Sequence, residues 1–293
     1  MGFASAQATW VAPMAREAVI FTPMVCFWFT CQFLFTKQLP KWIPNWQRLN
    51  IAQKEDVIVR CCSIVNSGIM SFSAVLFMVS LVKSGGVLSS DLYATMPYYR
   101  FSRVAISAYF LWDIFVCYYY RWSLAWKIHA FCSFIGSYTL LFPFSEYYAG
   151  YYTGCFELSN GFLHASIIMR ALCDIADKKA QKSLIKSLEK RAAICEYAFG
   201  VLYFLIRVIG GTYVTGSWLY NVIGNWYSDL VHAGEIGYAP RIHNEVAVGI
   251  AVVALSTIQL LQYFWFVEIM KKTLGAGSDT TAEATDVTSA KDK

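Results

Sequence analysis

Residues 57–82 read VIVRCCSIVNSGIMSFSAVLFMVSLV, and Arg60 is the only charged side chain among these 26 residues. The stretch contains no proline, so nothing in it forces a helix to end. A helix needs about 20 consecutive, mostly apolar residues to cross the hydrocarbon core of a bilayer. This stretch therefore predicts a transmembrane helix rather than the core helix of a soluble domain.

The rest of the chain has the same apolar character. Its 293 residues are 57% hydrophobic and only 15% charged, whereas soluble domains carry about 25% charged residues. We therefore predict an all-α, polytopic transmembrane helix bundle of about seven spans. The segment 212–245, rich in Gly, Trp and Tyr, leaves room for an eighth, re-entrant or interfacial segment. The other predicted spans are residues 18–35, 102–120, 128–144, 148–172, 194–211 and 246–269.

Lys and Arg fall unevenly on the two sides of these predicted spans. With seven spans, 17 of the 24 lie on the side of the C-terminus. Because cytosolic loops carry the excess of basic residues, we predict a lumenal N-terminus and a cytosolic C-terminus. The basic segment 174–191 is predicted to be a short cytosolic helix or a solvated loop. The small, polar residues 273–293 predict a disordered cytosolic tail.

Several function classes lose support from what the sequence lacks. The nine cysteines include no C-x-x-C pair, so neither a disulfide framework nor a zinc site is predicted. Phosphate-loop, zincin, nucleophile-elbow and dinucleotide-binding motifs are absent. Four histidines are too few for a histidine-box di-iron site. We predict no metal, no cofactor and no nucleic-acid partner.

Polar residues inside the predicted spans are the best candidates for a site. A charge at membrane depth costs several kcal/mol unless it faces protein, water or a partner. Arg60 lies close enough to a span end to snorkel instead, and a deep Arg needs an acidic partner or a phosphate. For Arg207 that partner is Asp113 or Glu157, and spacing does not say which. The candidates are Arg60, Asn66, Asp113, His129, Glu157, Asn160, His164 and Arg207.

Three of these residues share one face of the predicted fifth helix. Glu157, Asn160 and His164 follow one another at i, i+3 and i+7. A carboxylate and an imidazole two turns apart can bracket a polar headgroup or exchange a proton through water. The alternative is a polar network that packs helices together.

Six short motifs then suggest a family. On them the chain resembles the TLC-domain family of multi-pass membrane proteins, the TRAM/Lag/CLN superfamily. Each motif is loose alone, but all six occur in the family's order. They are EDVIVRCCSIVN (55–66), AYFLWD (108–113), KIHAF (127–131), FELSNGF (156–162), YFLIR (203–207) and LLQYFWF (260–266).

The resemblance implies a six-helix, barrel-like TLC domain at residues 54–272. An N-terminal segment, residues 1–53, would add one further span. It also implies an intramembrane pocket for a lipid chain, and location in the endoplasmic reticulum. Asp113, His129 and Glu157 would face that pocket together with Arg207. The ceramide-synthase branch carries two adjacent histidines where this chain reads Ile128-His129, so the non-synthase branch is predicted.

From the sequence we expect one of two functions. The first is binding or regulating membrane lipids, in lipid homeostasis or trafficking. In this function Arg60, Asn66, Asn160, His164 and Arg207 would contact the lipid or its headgroup.

The alternative is a ceramide-synthase-like N-acyltransferase that joins an acyl group from acyl-CoA to a long-chain amine. His129 would be its base, with Asp113 or Glu157 orienting the imidazole. Arg207 or the cytosolic lysines would bind the phosphates of the CoA.

Overall fold

The structure is a computed structural model that describes residues 3–96, 99–142, 144, 146–178, 180–242 and 244–273. These residues form seven continuous helices, which confirms the predicted all-α bundle. The predicted disordered tail lies, apart from Thr273, outside the described residues. The helices are α1 Phe3–Trp42, α2 Ile51–Lys83, α3 Tyr99–Tyr119, α4 Leu124–Thr139, α5 Glu146–Ile175, α6 Lys182–Val231 and α7 Glu245–Thr273.

Five of these helices are long and apolar enough to cross a membrane by themselves: α1, α2, α3, α6 and α7. Helix α4 has only 16 residues, and α5 carries Glu157, Asn160 and His164 near its middle. In the bundle both lie between longer helices, α4 between α3 and α7 and α5 between α2 and α6. The protein is therefore a multi-pass integral membrane protein.

Helix packing closes six of the helices into a ring. In order around the ring, α2 contacts α3, α3 contacts α4, and α4 contacts α7. Helix α7 in turn contacts α6, α6 contacts α5, and α5 contacts α2 again. Helix α1 packs outside this ring, against α2 and α3. The six-helix core with one added N-terminal helix is the arrangement that the family resemblance implied.

Helix α1 is attached to the ring through aromatic and amide contacts. Trp28 is fully buried, and its ring lies 5.1 Å from that of Tyr109 and 6.2 Å from that of Trp112. One turn further along, Gln32 Oε1 accepts a hydrogen bond from Trp112 Nε1 at 2.9 Å. Gln32 Nε2 donates to Tyr120 Oη at 3.0 Å. A polar residue thus fixes the register of α1 against α3.

The expectation of a separate re-entrant segment after residue 211 is corrected. Helix α6 continues without a break from Lys182 to Val231. The glycines of residues 212–231 lie within this helix, and the next glycine along the chain with a positive φ is Gly234. The basic segment 174–191 is likewise no separate helix, because α6 already begins within it.

The two ends of the ring differ in composition. At one end, which we call the aromatic end, residues from four ring helices and the connecting loops bury a large apolar cluster. It includes Phe77, Tyr148, Trp218 and Leu255, each with less than 2% of its surface exposed. The other end, the basic end, holds the α1–α2, α3–α4 and α5–α6 connections. The aromatic cluster fills the ring at its own end.

Candidate functional site

Each of the six ring helices contributes at least one polar side chain to the interior. Hydrogen bonds link side chains of α2, α5, α6 and α7 there. Asp113 on α3 lies near enough to Glu157 for their charges to interact, as does His129 on α4 to Arg207. The structure thus brings all eight predicted polar residues to one region.

Around the middle of the bundle, the amide groups of two asparagines hold the Glu157 carboxylate. Asn66 Nδ2 donates to Glu157 Oε2 at 3.0 Å, and Asn160 Nδ2 lies 3.1 Å from both carboxylate oxygens. Glu157 is 6% exposed and Asn66 is completely buried. Because a buried carboxylate needs hydrogen-bond donors, these two amides stabilise it across the α2–α5 contact.

Arg207 pairs directly with neither Asp113 nor Glu157 in the described part of the chain. Its Nη2 donates to Asn160 Oδ1 at 2.7 Å and also to the Phe156 carbonyl. Asn160 therefore bridges the guanidinium and the Glu157 carboxylate. The expectation of a direct ion pair is corrected, because an amide that both donates and accepts can stand between the two charges.

Two further donors of Arg207 are also used. Its Nε donates to Ser159 Oγ at 3.1 Å and its Nη1 to Gln262 Oε1 at 3.0 Å. The rings of Phe156 and Tyr203 each lie 5.2 Å from the guanidinium carbon. Since a guanidinium has no acceptor and only five donors, Arg207 has little capacity left for a phosphate. It acts as a structural cross-link between α5, α6 and α7.

Wide helical turns set the position of this network. Tyr151–Cys155 in α5 and Tyr203–Gly210 in α6 are π-helical, and such turns are frequent at functional sites. Tyr151 Oη donates to the Ile206 carbonyl. Gln259 Nε2 donates to the Arg207 carbonyl at 3.0 Å. Side chains from two neighbouring helices thus bind the carbonyl groups of the π-helical turn that carries Arg207.

A second polar group lies nearer the basic end. Arg60 Nε contacts Asp56 Oδ2 at 2.6 Å, and its Nη1 lies 3.2 Å from His164 Nδ1. Because arginine can only donate, His164 Nδ1 accepts, and its ring proton is on Nε2. Arg60 therefore bonds within the protein as well as lying near the membrane edge.

Asp113 and His129 differ from these residues in lacking hydrogen-bond and ion-pair partners in the described chain. Tyr109 Oη lies 2.8 Å from Ser63 Oγ, so Asp113, one turn further along α3, is level with Arg60. Protein surrounds the side chains of Asp113 and His129, yet both residues keep part of their surface accessible. Within the described residues neither forms a hydrogen bond or ion pair. Both residues are therefore polar groups of the ring helices whose hydrogen-bonding capacity the described chain leaves unused.

The His129 ring is held by two tryptophans. Its centroid lies 5.0 Å from that of Trp265 on α7 and 5.9 Å from that of Trp126 on α4, both edge to face. The structure shows no hydrogen bond from His129 to Asp113 or Glu157 in the described chain. The imidazole is therefore oriented by aromatic packing rather than by a carboxylate.

Sequence reasoning missed the glutamines of α7. Gln259 is 5% and Gln262 is 2% exposed, and both bond to Arg207 or its backbone. Their spacing of i, i+3 in an otherwise apolar span is the signal that could have found them. The described residues contain no cluster of three His, Cys, Asp or Glu side chains that could hold a metal ion.

The unfilled hydrogen-bonding capacity of the interior is mostly acceptor capacity. Both arginines already bond to protein groups. The Asp113 carboxyl has no donor among the described residues, and Asn66 Oδ1 is buried without one. A buried polar atom without a partner costs roughly 1–3 kcal/mol. A ligand group that donates hydrogen bonds is therefore the chemistry that this interior would stabilise.

Comparison with protein families agrees with the six motifs. A family model described as the TLC domain (TRAM/LAG1/CLN8) matches residues 56–271, about three quarters of the chain. The match begins in the first turns of α2 and ends near the end of α7, so it spans the whole ring and leaves out α1. No curated protein and no solved structure matches the chain significantly.

Proposed function

Because this chain belongs to the TLC-domain family, we propose that it binds or regulates membrane lipids through the interior of its helix ring. The observation that carries the proposal is the Asp113 carboxyl, enclosed at membrane depth without a hydrogen-bond donor in the described chain. Charged groups at this depth are costly and mark ligand sites when the protein does not pair them. The ligand proposed is a lipid whose headgroup donates hydrogen bonds.

The surrounding residues support a headgroup rather than an acyl chain at this point. Asp113, His129 and His164 all provide polar atoms on ring helices, and His164 Nδ1 lies 3.2 Å from Arg60 Nη1. An acyl chain would occupy apolar surface instead. We propose that the chain extends between ring helices into the bilayer while the headgroup contacts Asp113.

We also propose an orientation of the protein in the membrane. The excess of Lys and Arg at the basic end supports a cytosolic location for it, so the site would be reached from the cytosolic leaflet. We further propose that residues 54–272 form the TLC domain and that the protein acts in the endoplasmic reticulum, in lipid homeostasis or trafficking.

Lipid retention by a charge-neutral variant tests the proposal. The wild type and Asp113→Asn are purified in a mild detergent, and the retained lipids are compared with bulk membrane lipid by mass spectrometry. We expect the wild type to enrich one headgroup class at least threefold. Asp113→Asn loses that enrichment, because an amide cannot attract an ammonium or accept as strongly as a carboxylate.

A matched control separates the site from a general effect of charge removal. Asp91 is an exposed aspartate in the loop between α2 and α3, and Asp91→Asn should retain the wild-type lipids. Bulk-like lipid on the wild type, or equal enrichment in wild type and Asp113→Asn, would contradict the proposal.

N-acyl transfer is the second candidate, and two observations favour it. The His129 ring nitrogens have no hydrogen-bond partner in the described chain. A cavity of about 480 Å³ at the basic end is lined by Lys178 and Lys182, which would bind phosphate groups of a CoA thioester, together with Asp174 and Glu189. In the reaction the amine nitrogen attacks the thioester carbonyl, the C–S bond breaks, and His129 takes the amine proton and passes it to the thiolate. Arg207 already uses four of its five N–H donors within the protein, so it is not assigned this task.

Acyl transfer is tested with long-chain base and acyl-CoA in membranes from a host without ceramide synthases. If the protein is an acyltransferase, wild type forms N-acyl product, His129→Ala loses it, and His232→Ala retains it. His232 is a suitable control because it is exposed and lies outside the ring interior. Absence of product from folded wild type excludes this substrate class, and lipid retention then decides the first proposal independently.

A further inference from the structure

The second half of α6 exposes a regular stripe of apolar residues that the other described elements leave at least half exposed, although Tyr213 Oη donates to the Gly86 carbonyl in the α2–α3 loop at 3.3 Å. Its members are spaced alternately three and four residues apart, the heptad spacing of helices that pair side by side. We call this set the tyrosine stripe. It consists of Tyr213, Gly216, Tyr220, Ile223, Tyr227 and Leu230.

The stripe accounts for most of the exposed surface of this part of α6. Its five larger side chains are between 50% and 79% exposed. The opposite face of the helix is buried in the ring through Val214, Trp218 and Val222. No charged side chain occurs in the stripe, as expected of a seam between helices rather than a water-facing surface.

Lipid tails alone do not cover this surface. Arg207 is level with the middle of α2 and α7 through its shared network, and Leu230 lies 23 residues further along α6. At 1.5 Å per residue this is roughly 35 Å, whereas half of the hydrocarbon core is about 15 Å. Tyr227 and Leu230 therefore reach the aqueous side of the interface, where large exposed apolar surface marks an interaction site.

The stripe also contains a hollow that fits an aromatic ring. Added side-chain atoms at Gly216 would meet nothing within 4 Å. A cavity of about 360 Å³ opens there between Tyr213 and Tyr220, beside Val87 and Ser90. An engineered cavity of about 150 Å³ already admits benzene, so this hollow is large enough for the tyrosine ring of a facing helix.

We infer that the tyrosine stripe is the contact face for a second copy of this chain. Two copies in one membrane share one orientation, so a two-fold axis along the membrane normal places the two α6 helices parallel, with identical residues facing each other. A tyrosine of each copy then enters the Gly216 hollow of the other. The exposed stripe offers roughly 600 Å² per copy, and the loop at Val87 adds to it, approaching the ~800 Å² per partner of a specific interface.

The oligomeric state of the full-length protein in lipid nanodiscs or native membranes tests this inference. We expect wild type to be a dimer. Tyr220→Ser removes a knob and Gly216→Leu fills the hollow, and each should weaken the dimer at least ~10-fold in dissociation constant. The control is Tyr197→Ser, since Tyr197 lies on the same helix outside the stripe and is 76% exposed, against 79% for Tyr220.

Cross-linking identifies the face directly. An Ile223→Cys variant should form an intermolecular disulfide in native membranes that wild type, with its native cysteines, and Tyr197→Cys do not form. Retention of the dimer by Tyr197→Ser and its loss in Tyr220→Ser support the inference. A monomeric wild type, or equal behaviour of Tyr197→Ser and Tyr220→Ser, overturns it, and neither result depends on whether the ring interior binds lipid.

Discussion

At the scale of single residues, Asn160 has the largest structural role in the interior. It donates to both oxygens of Glu157 and accepts from Arg207. One neutral amide thus connects two opposite charges that do not touch. Direct burial of an ion pair would require the two charged groups to lose nearly all their hydration, which often exceeds the Coulombic gain. Here amides, a hydroxyl and a carbonyl provide the missing hydrogen bonds instead.

Replacing this amide by a hydrocarbon of similar size should destabilise the fold strongly. In Asn160→Leu both charged groups lose a hydrogen bond while they stay buried, so we expect the free energy of unfolding to fall by about 3 kcal/mol or more. Thermal unfolding in detergent micelles measures the loss. Asn225→Leu is the control, because the side chain of Asn225 donates to the Asn221 carbonyl one turn earlier in α6 and has no charged hydrogen-bond partner in the described chain. Equal stability of the two variants would contradict the role assigned to Asn160.

The sequence predicted which residues lie in this site better than it predicted the hydrogen bonds between them. Glu157, Asn160 and His164 could be placed on one helix face because spacing within a helix is fixed. The partner of Arg207 could not be predicted, because its contacts come from α5 and α7 and depend on how these helices pack. Gln262 was not predicted, although the amides Asn66 and Asn160 were, because its contact with Arg207 depends on how α6 and α7 pack. Asp113 and His129 share the interior with the others, although their roles remain proposals.

At the scale of helices, close backbone contacts determine where α5 and α6 lie. An added Cβ at Gly154 would lie 2.3 Å from the backbone nitrogen of Ala74 on α2. Such contacts between small residues are how membrane helices approach one another. Gly211 of α6 is also closely packed, because an added Cβ there would lie 2.5 Å from the side chain of Gln259 on α7. The glycine-rich composition after residue 211 suggested a break in the helix, and α6 contains no such break.

Two glycine substitutions should therefore change stability in opposite directions. Gly154→Ala forces α2 and α5 apart, and we expect a loss of about 1–3 kcal/mol. Gly200→Ala meets nothing within 4 Å and should gain about 0.5–1 kcal/mol, because alanine favours a helix over glycine. Unfolding of both variants under one set of conditions measures the difference. A Gly154→Ala protein as stable as wild type would mean that α2 and α5 are not in backbone contact.

At the scale of the molecule, the sequence predicted the number of helices and the outer helix, and the ring was implied by family resemblance. Long apolar runs fix helices through the cost of exposed backbone in lipid. Helix ends were less predictable: α1 and α6 both extend past their predicted spans, and α4 ends five residues early, at Thr139. Such ends depend on capping and tertiary contact rather than on hydropathy.

The orientation of the molecule remains a prediction that glycosylation can test. An N-glycosylation acceptor carried on a flexible insert at Gly237, in the α6–α7 loop, should be modified in microsomes. The same insert at Lys178, in the basic connection between α5 and α6, should not be. The expectation follows from the excess of Lys and Arg at the basic end. Modification at Lys178 alone would reverse the proposed topology and place the basic end in the lumen.

The order of the Arg207 partners along the chain has a consequence for biosynthesis. Three of its acceptors, on Phe156, Ser159 and Asn160, precede it by 47 to 51 residues, and Gln262 follows 55 residues later. Chains fold from the N-terminus as they are synthesised. When the ribosome delivers Arg207 to the bilayer, α5 has already been made and can accept its hydrogen bonds. The arginine can therefore enter the membrane as half of a helical hairpin, before α7 has been translated.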